Sequence, residues 1–569
     1  MRINILLKAI TSVLSFLYIT NNKIGINSIY PLVMVALTYY FYKNINYEKN
    51  IWTRLASVIF GLYGIISIFQ VNVYEEQLQR LPVLLMLIKL LVIFFGIYFF
   101  VNYSLSWLYK KIDNLELKKN NKYTGKHIFI VSFIFLLIMY LPVWLMEYPS
   151  NVSPDTLSQV KQILSGEYIN HHPFAHTMWL KALMMFSKDL NIRIGIAALL
   201  QMIINALAFS YVSTFIYKKS KSLLLTVIST LFYGLLSFNA FYSITLIKDV
   251  THAVICCLLT VLIIDYFDSE QNRNIKLGLI FIVLVLFCLF RSNGYYACIL
   301  VFLISLILNI ENKEYRLSAV ILLSIIVSAI VKGPIYSALG VGNASPAEML
   351  SIPLQQIALT IKNGCYLKEN ELALLNKVID VSKVPDAYDV FLSDPIKNLL
   401  NEHGNIDYLL NNKFEYLKLW ISIGIRNPIV YIRAWVNQIS MLFSPYYYST
   451  SIFWEVTPNN IGIVGTPLLI NGGLNETLHM LAYKQHNISL IGWFHYQSIT
   501  TWIMTVSAFY LLRKKNNTTI IVFALYFSVL FTLCISSPYN ACFRYFYGVI
   551  VCLPLMLLMV LGKDCKENE

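Results

Sequence analysis

The residues best suited to chemistry stand at the edges of long apolar runs. Asp155 lies in SPDTLSQ, His171, His172 and His176 in NHHPFAHTMW, and Lys248, Asp249 and His252 in SITLIKDVTHA. Arg291 and Asn293 follow in FRSNGYY, and Arg544 in NACFRYFYG. A carboxylate beside fixed cations is suited to take a proton from an attacking hydroxyl, a contribution of typically ~10² to 10⁴ in rate. Guanidinium groups grip phosphate oxygens bidentately. The expected chemistry is therefore transfer from a lipid-phosphate donor. Asp155 would be the base and Lys248, Arg291 and Arg544 would bind the donor phosphate, with Asp249, His252, His172, His176 and Asn293 in support. Direct displacement at an anomeric carbon would invert its configuration.

Each of these residues also has a plainer role. Ser153-Pro154-Asp155 reads as a helix start, where a carboxylate is favoured by the helix dipole. Lys248 and Asp249 can form a boundary ion pair with Lys248 snorkelling, and Arg291 and Arg544 can serve as span-end anchors. Pro173 would make His172 a cap and put His176 four residues on. That spacing leaves open a divalent ion held by Asp155, His172 and His176, although zinc sites normally need a firmer constellation. No cofactor is otherwise indicated.

The elements that must position these residues are membrane spans. Of the 569 residues, 57% are hydrophobic and 13% charged, against about 25% charged in soluble proteins. This excludes an ordinary soluble enzyme and predicts an all-α polytopic membrane protein with about 14 transmembrane helices between residues 4 and 562. Basic clusters at 110 to 126, 218 to 221, 272 to 276, 311 to 316 and 513 to 515 fall on alternate connections. Under the positive-inside rule they are cytoplasmic, as are both termini. The net charge of +14 is thus mostly orientation signal, and a nucleic-acid partner is not expected. The amino terminus reads as a first anchor with no cleavage signature. Nine cysteines without CxxC spacing indicate neither a disulfide framework nor a zinc-thiolate site.

This topology puts every candidate residue on the outer face. It divides the chain into a four-span region (1–126), a membrane core (127–334) with a first outer loop at 147–192, an outer helical region (335–490) and a three-span end (491–569). Within the outer region, NPIVYIRAWVNQISMLF predicts an interfacial amphipathic helix near 428–443. KENELALLNKVIDVSK adds a soluble helix pattern, so a small helical extracytoplasmic domain is expected. The NVS and NET triplets at 151 and 475 carry no weight as glycosylation sequons, and no internal repeat is visible.

The order of SPDTLSQ, NHHPFAHT, IKDVTHA, RSNGYY, SIPLQQIALTI at 351 to 361, NPIVYIRAWVNQISMLFSPYYYS and RYFYGVIVCLP resembles a poorly characterised bacterial family within the GT-C class of integral-membrane glycosyltransferases. The likeness runs from about residue 127 to 562. It implies a GT-C-like core in a bacterial plasma membrane and transfer of a sugar from a polyprenyl-phosphate or polyprenyl-diphosphate donor. The acceptor would be an extracytoplasmic cell-wall polymer, glycolipid or protein. Asp155 takes the place of the first-loop acid, base or metal ligand in that class, but the paired acids of its better-known members are missing here. Gln355 and Gln356 either hydrogen-bond sugar hydroxyls or form a helix edge closing the cleft. The alternatives are a polysaccharide polymerase or ligase, and a lipid-linked sugar flippase or transporter, which would carry its ionisable groups nearer the bilayer midplane.

Overall fold

The computed structural model describes residues 2–19, 29–45, 47–70, 75, 78, 81–268, 271–312, 315–445, 455–469, 472–540 and 542–562. These are helices and connecting turns, with only isolated bridges where extended segments touch. Seven described helices are long and apolar enough to cross a membrane: Ile51–Ile68, Val83–Asp113, Gly125–Met146, Leu190–Ser220, Lys248–Asp268, Arg273–Phe290 and Tyr315–Ala338. The chain is an all-α membrane protein. The expected count of 14 is larger than this set, and further apolar helices include Arg2–Ile19, Ser292–Asn312 and Asn517–Ser536.

Helix starts follow local side-chain chemistry. The Oγ of Ser153 accepts from Thr156 N–H at 3.2 Å, Asp189 Oδ1 from Ile192 at 2.9 Å and Ser222 Oγ from Leu225 at 3.4 Å. Each supplies an acceptor to a first-turn N–H that has no partner within its helix. In the Tyr315–Ala338 span, Pro334 lacks the N–H of the regular ladder, and the helix passes through a π turn at Val331–Ile335.

The apolar run at 222–245, long enough for one span, is two helices, Leu223–Leu235 and Ser237–Ile244, bent by 58°. Gln485 spans the break, accepting from Ser237 N–H at 2.8 Å and donating to the Leu235 carbonyl at 2.7 Å. Asn239 donates to the Phe232 carbonyl at 2.9 Å. These contacts satisfy backbone groups that a break would otherwise leave open at bilayer depth.

Four of the five basic connections meet at one end of the bundle. Asn120 N–H donates to the Lys221 carbonyl at 2.7 Å, Lys219 and Lys276 both reach Asp265 (3.0 and 2.9 Å), and Arg513 pairs with Asp113 at 3.0 Å. The fifth, at 311–316, includes residues outside the described set. At the opposite end sits the expected helical domain. Its own core contains Ala358, Leu359, Val384, Ile396 and Leu400, and Lys397 pairs with both Glu348 (2.6 Å) and Asp394 (2.7 Å).

A helix, Pro428–Ile439, occupies the stretch read as interfacial near 428–443. The Pro428–Ile439 helix buries Tyr431, Arg433, Ala434 and Val436 through Ile439. Ala434 belongs to the core of the helical domain, while Val436 packs with Ile68, Phe69, Met86 and Ile93 at the ends of two spans. Apolar on two faces, it is a wedge between domain and bundle.

Candidate functional site

The first loop is held against the 243–247 segment by side chains that satisfy its carbonyls. Ser150 donates to Ile244 O at 2.6 Å and Thr156 to Leu246 O at 3.1 Å, while Gln201 donates to both Ser243 O (3.0 Å) and Thr245 O (2.8 Å). A parallel bridge joins Asn151 to Thr245. This lacing brings the Pro154–Ser165 helix over the start of the Lys248–Asp268 span. Ser153 provides the cap, so the Asp155 side chain, one turn position further, is left to point at the span end.

Asp155 Oδ2 accepts from Lys248 Nζ and from Arg544 Nη1, each at 2.9 Å. The Nδ1 of His172 lies 3.9 Å from the same oxygen and 3.3 Å from Lys248 Nζ. Below this triad, Arg291 lies 3.2 Å from Asp249 Oδ1 and donates to the Tyr545 carbonyl at 2.7 Å. The guanidinium groups of Arg291 and Arg544 lie 5.3 and 5.4 Å from the Tyr545 ring, which places both within cation–π range.

Burial alone would raise the Asp155 carboxyl, but Lys248 and Arg544 outweigh it and hold the group well below the usual carboxylate range. Burial, reinforced by Lys248, pushes His172 and His176 each down to about 3, so both rings are neutral near pH 7. Three cations, Lys248, Arg291 and Arg544, therefore face two carboxylates, Asp155 and Asp249. The cluster carries an excess positive charge and sits at the end of the long apolar helices.

A family model matches residues 165–569, most of the chain. The chain belongs to DUF6020, a family of unknown function. No curated protein and no solved structure matches it. In this DUF6020 member the matched region holds every candidate residue except Asp155, which precedes it.

The remaining candidates are dispersed. His176 is buried and paired through Nδ1 with Gln159 Oε1 at 3.0 Å, beside the Phe290 ring. His252 packs against the Phe287 ring at 4.4 Å, and neither of its ring nitrogens has a hydrogen-bond partner. Asn293 is half-buried in the first turn of the Ser292–Asn312 helix. Gln355 donates to the Asp389 and Leu392 carbonyls, both at 2.9 Å. Gln356 donates to the Tyr431 carbonyl at 3.2 Å and accepts from Trp420 at 2.8 Å. These glutamine contacts fasten the helical domain.

The donor set does not fit a divalent metal. Among the described residues no group of three His, Cys, Asp or Glu side chains is placed to hold one. Asp155 shares one oxygen between two cations that would repel an incoming ion, and His176 is turned to Gln159. Three contributors were not foreseen: Tyr545 between the arginines, Gln159 beneath His176, and Cys542, whose Sγ accepts from Arg544 Nε at 3.3 Å. Gln159, four residues after Asp155 on one amphipathic helix, was the most accessible from spacing.

Proposed function

We propose that this protein is a membrane glycosyltransferase that moves a sugar from a polyprenyl-phosphate donor to a hydroxyl acceptor on the membrane face carrying Asp155. The observation that carries this reading is the Asp155 carboxylate held jointly by Lys248 and Arg544, within a cluster of excess positive charge at the end of the spans. A site of this kind accepts an anion from the lipid side and a hydroxyl from the aqueous side.

The same geometry suggests an order of events. An incoming donor phosphate competes with Asp155 for the Lys248 ammonium and the Arg544 guanidinium. Once those cations turn to phosphate, Asp155 loses the interactions that depress its basicity. It can then take the proton from the acceptor hydroxyl as the oxygen attacks the anomeric carbon. The bond from that carbon to the phosphate oxygen breaks, and the leaving phosphate keeps the electron pair, stabilised by Lys248 and Arg544. The anomeric configuration inverts. Arg291, expected at the phosphate, is committed to Asp249 and to the Tyr545 carbonyl, and in this reading it positions Tyr545 against Arg544.

The test uses the purified protein in lipid vesicles with polyprenyl-phosphate monosaccharide and oligosaccharide donors. Transfer of the monosaccharide by the wild type, abolished in a folded Asp155→Asn variant, is the expected result. Full activity in that variant overturns Asp155 as base. Use of the oligosaccharide donor alone would favour a polymerase or ligase. Passage of lipid-linked sugar across the vesicle with no new glycosidic bond would favour a transporter.

A further inference from the structure

The Lys413–Arg426 helix of the membrane-proximal domain is apolar on two opposite sides, and only one of them is used by the domain. Leu419 and Ile423 turn inward to pack with Leu375 and Tyr431. On the other side Phe414, Leu417, Ile421 and Ile425 are 71, 50, 45 and 75% exposed. Their spacing of three, four and four residues aligns them along one face at about 100° per residue. Exposed Lys413 and Lys418 border the stripe. A soluble surface has no reason to carry such a row.

Three observations identify what covers it. The helix is joined through Asn427 alone to the Pro428–Ile439 wedge, which seats on the ends of the Ile51–Ile68 and Val83–Asp113 spans. Ile429, one turn after Ile425, packs in that junction beside Ile68, Met86 and Ile93. The stripe therefore begins where the lipid-facing surface of the Val83–Asp113 span, with exposed Val83, Leu84, Leu87 and Leu91, comes to its end. Fourteen residues make about 21 Å of helix, too short to cross a bilayer but suited to lie along it. The lysines at its margins can reach lipid phosphates while the apolar face enters the acyl boundary.

We infer that the Lys413–Arg426 helix is the membrane-contacting face of the helical domain, with Phe414, Leu417, Ile421 and Ile425 immersed in the lipid leaflet on the Asp155 side. It holds the domain down over the site, and it takes the interfacial role that the sequence pattern suggested for 428–443. The inference does not depend on which reaction the site performs.

The full-length protein is placed in phospholipid vesicles with an environment-sensitive fluorophore on Leu417→Cys, Ile421→Cys or Glu415→Cys. Cys365 and Cys534, half-buried in the described chain, and Cys565 near the end of the sequence are replaced by Ser. Glu415 is exposed on the same helix but outside the stripe. In vesicles of lipids brominated along the acyl chain, the probes at 417 and 421 should lose most of their emission while the probe at 415 keeps its own. Equal emission at 417 and 421 with and without bromine overturns the inference. So does emission that responds to the protein-to-lipid ratio instead, since that pattern assigns the stripe to a second copy.

Discussion

Asp249 and Asp155 are both paired with cations, but their surroundings differ. Asp155 keeps part of its side chain accessible, whereas that of Asp249 is fully buried beside Arg291. Removing one partner of a buried pair typically costs about 3–5 kcal/mol, because the other charge stays buried without compensation. Arg291→Ala should therefore lower the unfolding temperature in detergent sharply, and Arg291→Ala combined with Asp249→Ala should recover much of the loss. If the single variant unfolds with the wild type, Arg291 does not support Asp249. The comparison also separates a positioning role from phosphate binding, since a residue that only touches donor would change transfer and leave stability alone. The candidate residues were legible in the sequence as charges stranded at the ends of apolar runs. Their pairing was not, because the partners of Asp155 arrive 93 and 389 positions later, and nothing local announces a contact at that separation.

The broken Leu223–Leu235 and Ser237–Ile244 pair shows a similar limit at the scale of an element. The run from 222 to 245 is mostly apolar and contains neither a charged residue nor a proline, so it reads as one uninterrupted span. The bend is supported from outside the run by Gln485, whose amide fits both sides of the opening. Gln485 also meets the His495 ring at 3.2 Å, and His495 packs on Phe238, so the loop before the Gln497–Arg513 helix is locked to the break. Gln485→Ala would leave the Ser237 N–H and the Leu235 carbonyl without this partner. A hydrogen bond typically contributes about 0.5–1.5 kcal/mol net, and the variant should unfold at a modestly lower temperature than the wild type. Gln485→Glu, which retains an acceptor for Ser237 but no donor for Leu235, should fall between them. Indistinguishable unfolding of all three would mean that the bend is set by packing alone. The Pro428–Ile439 helix shows a related ambiguity: a pattern apolar on two faces suits a wedge and an interfacial helix equally well until its neighbours are known.

At the scale of the whole molecule, the membrane class follows from composition alone, since 57% hydrophobic residues in helical runs have few other places to be buried. The number of spans does not, because apolar length says how many runs could cross and not how many do. What the structure adds is a separation of charge along the bundle. The loops around Lys221, Lys219, Lys276 and Arg513 are joined to one another at one end, and the Asp155 cluster lies at the other with the helical domain. The two regions are linked through the bridges Ile169 to Gly342 and Leu392 to Tyr539, so orienting one orients both. If the joined basic loops follow the positive-inside rule, the site faces outward, and this orientation can be tested. Cys365 reports on this, because it is half-buried and belongs to the domain side. In intact cells a membrane-impermeant maleimide should modify a Cys534→Ser variant and not the variant that also carries Cys365→Ser. Modification of Cys365 that requires permeabilised cells would turn the whole molecule over, since no part of the charge pattern could then keep the site on the outer face.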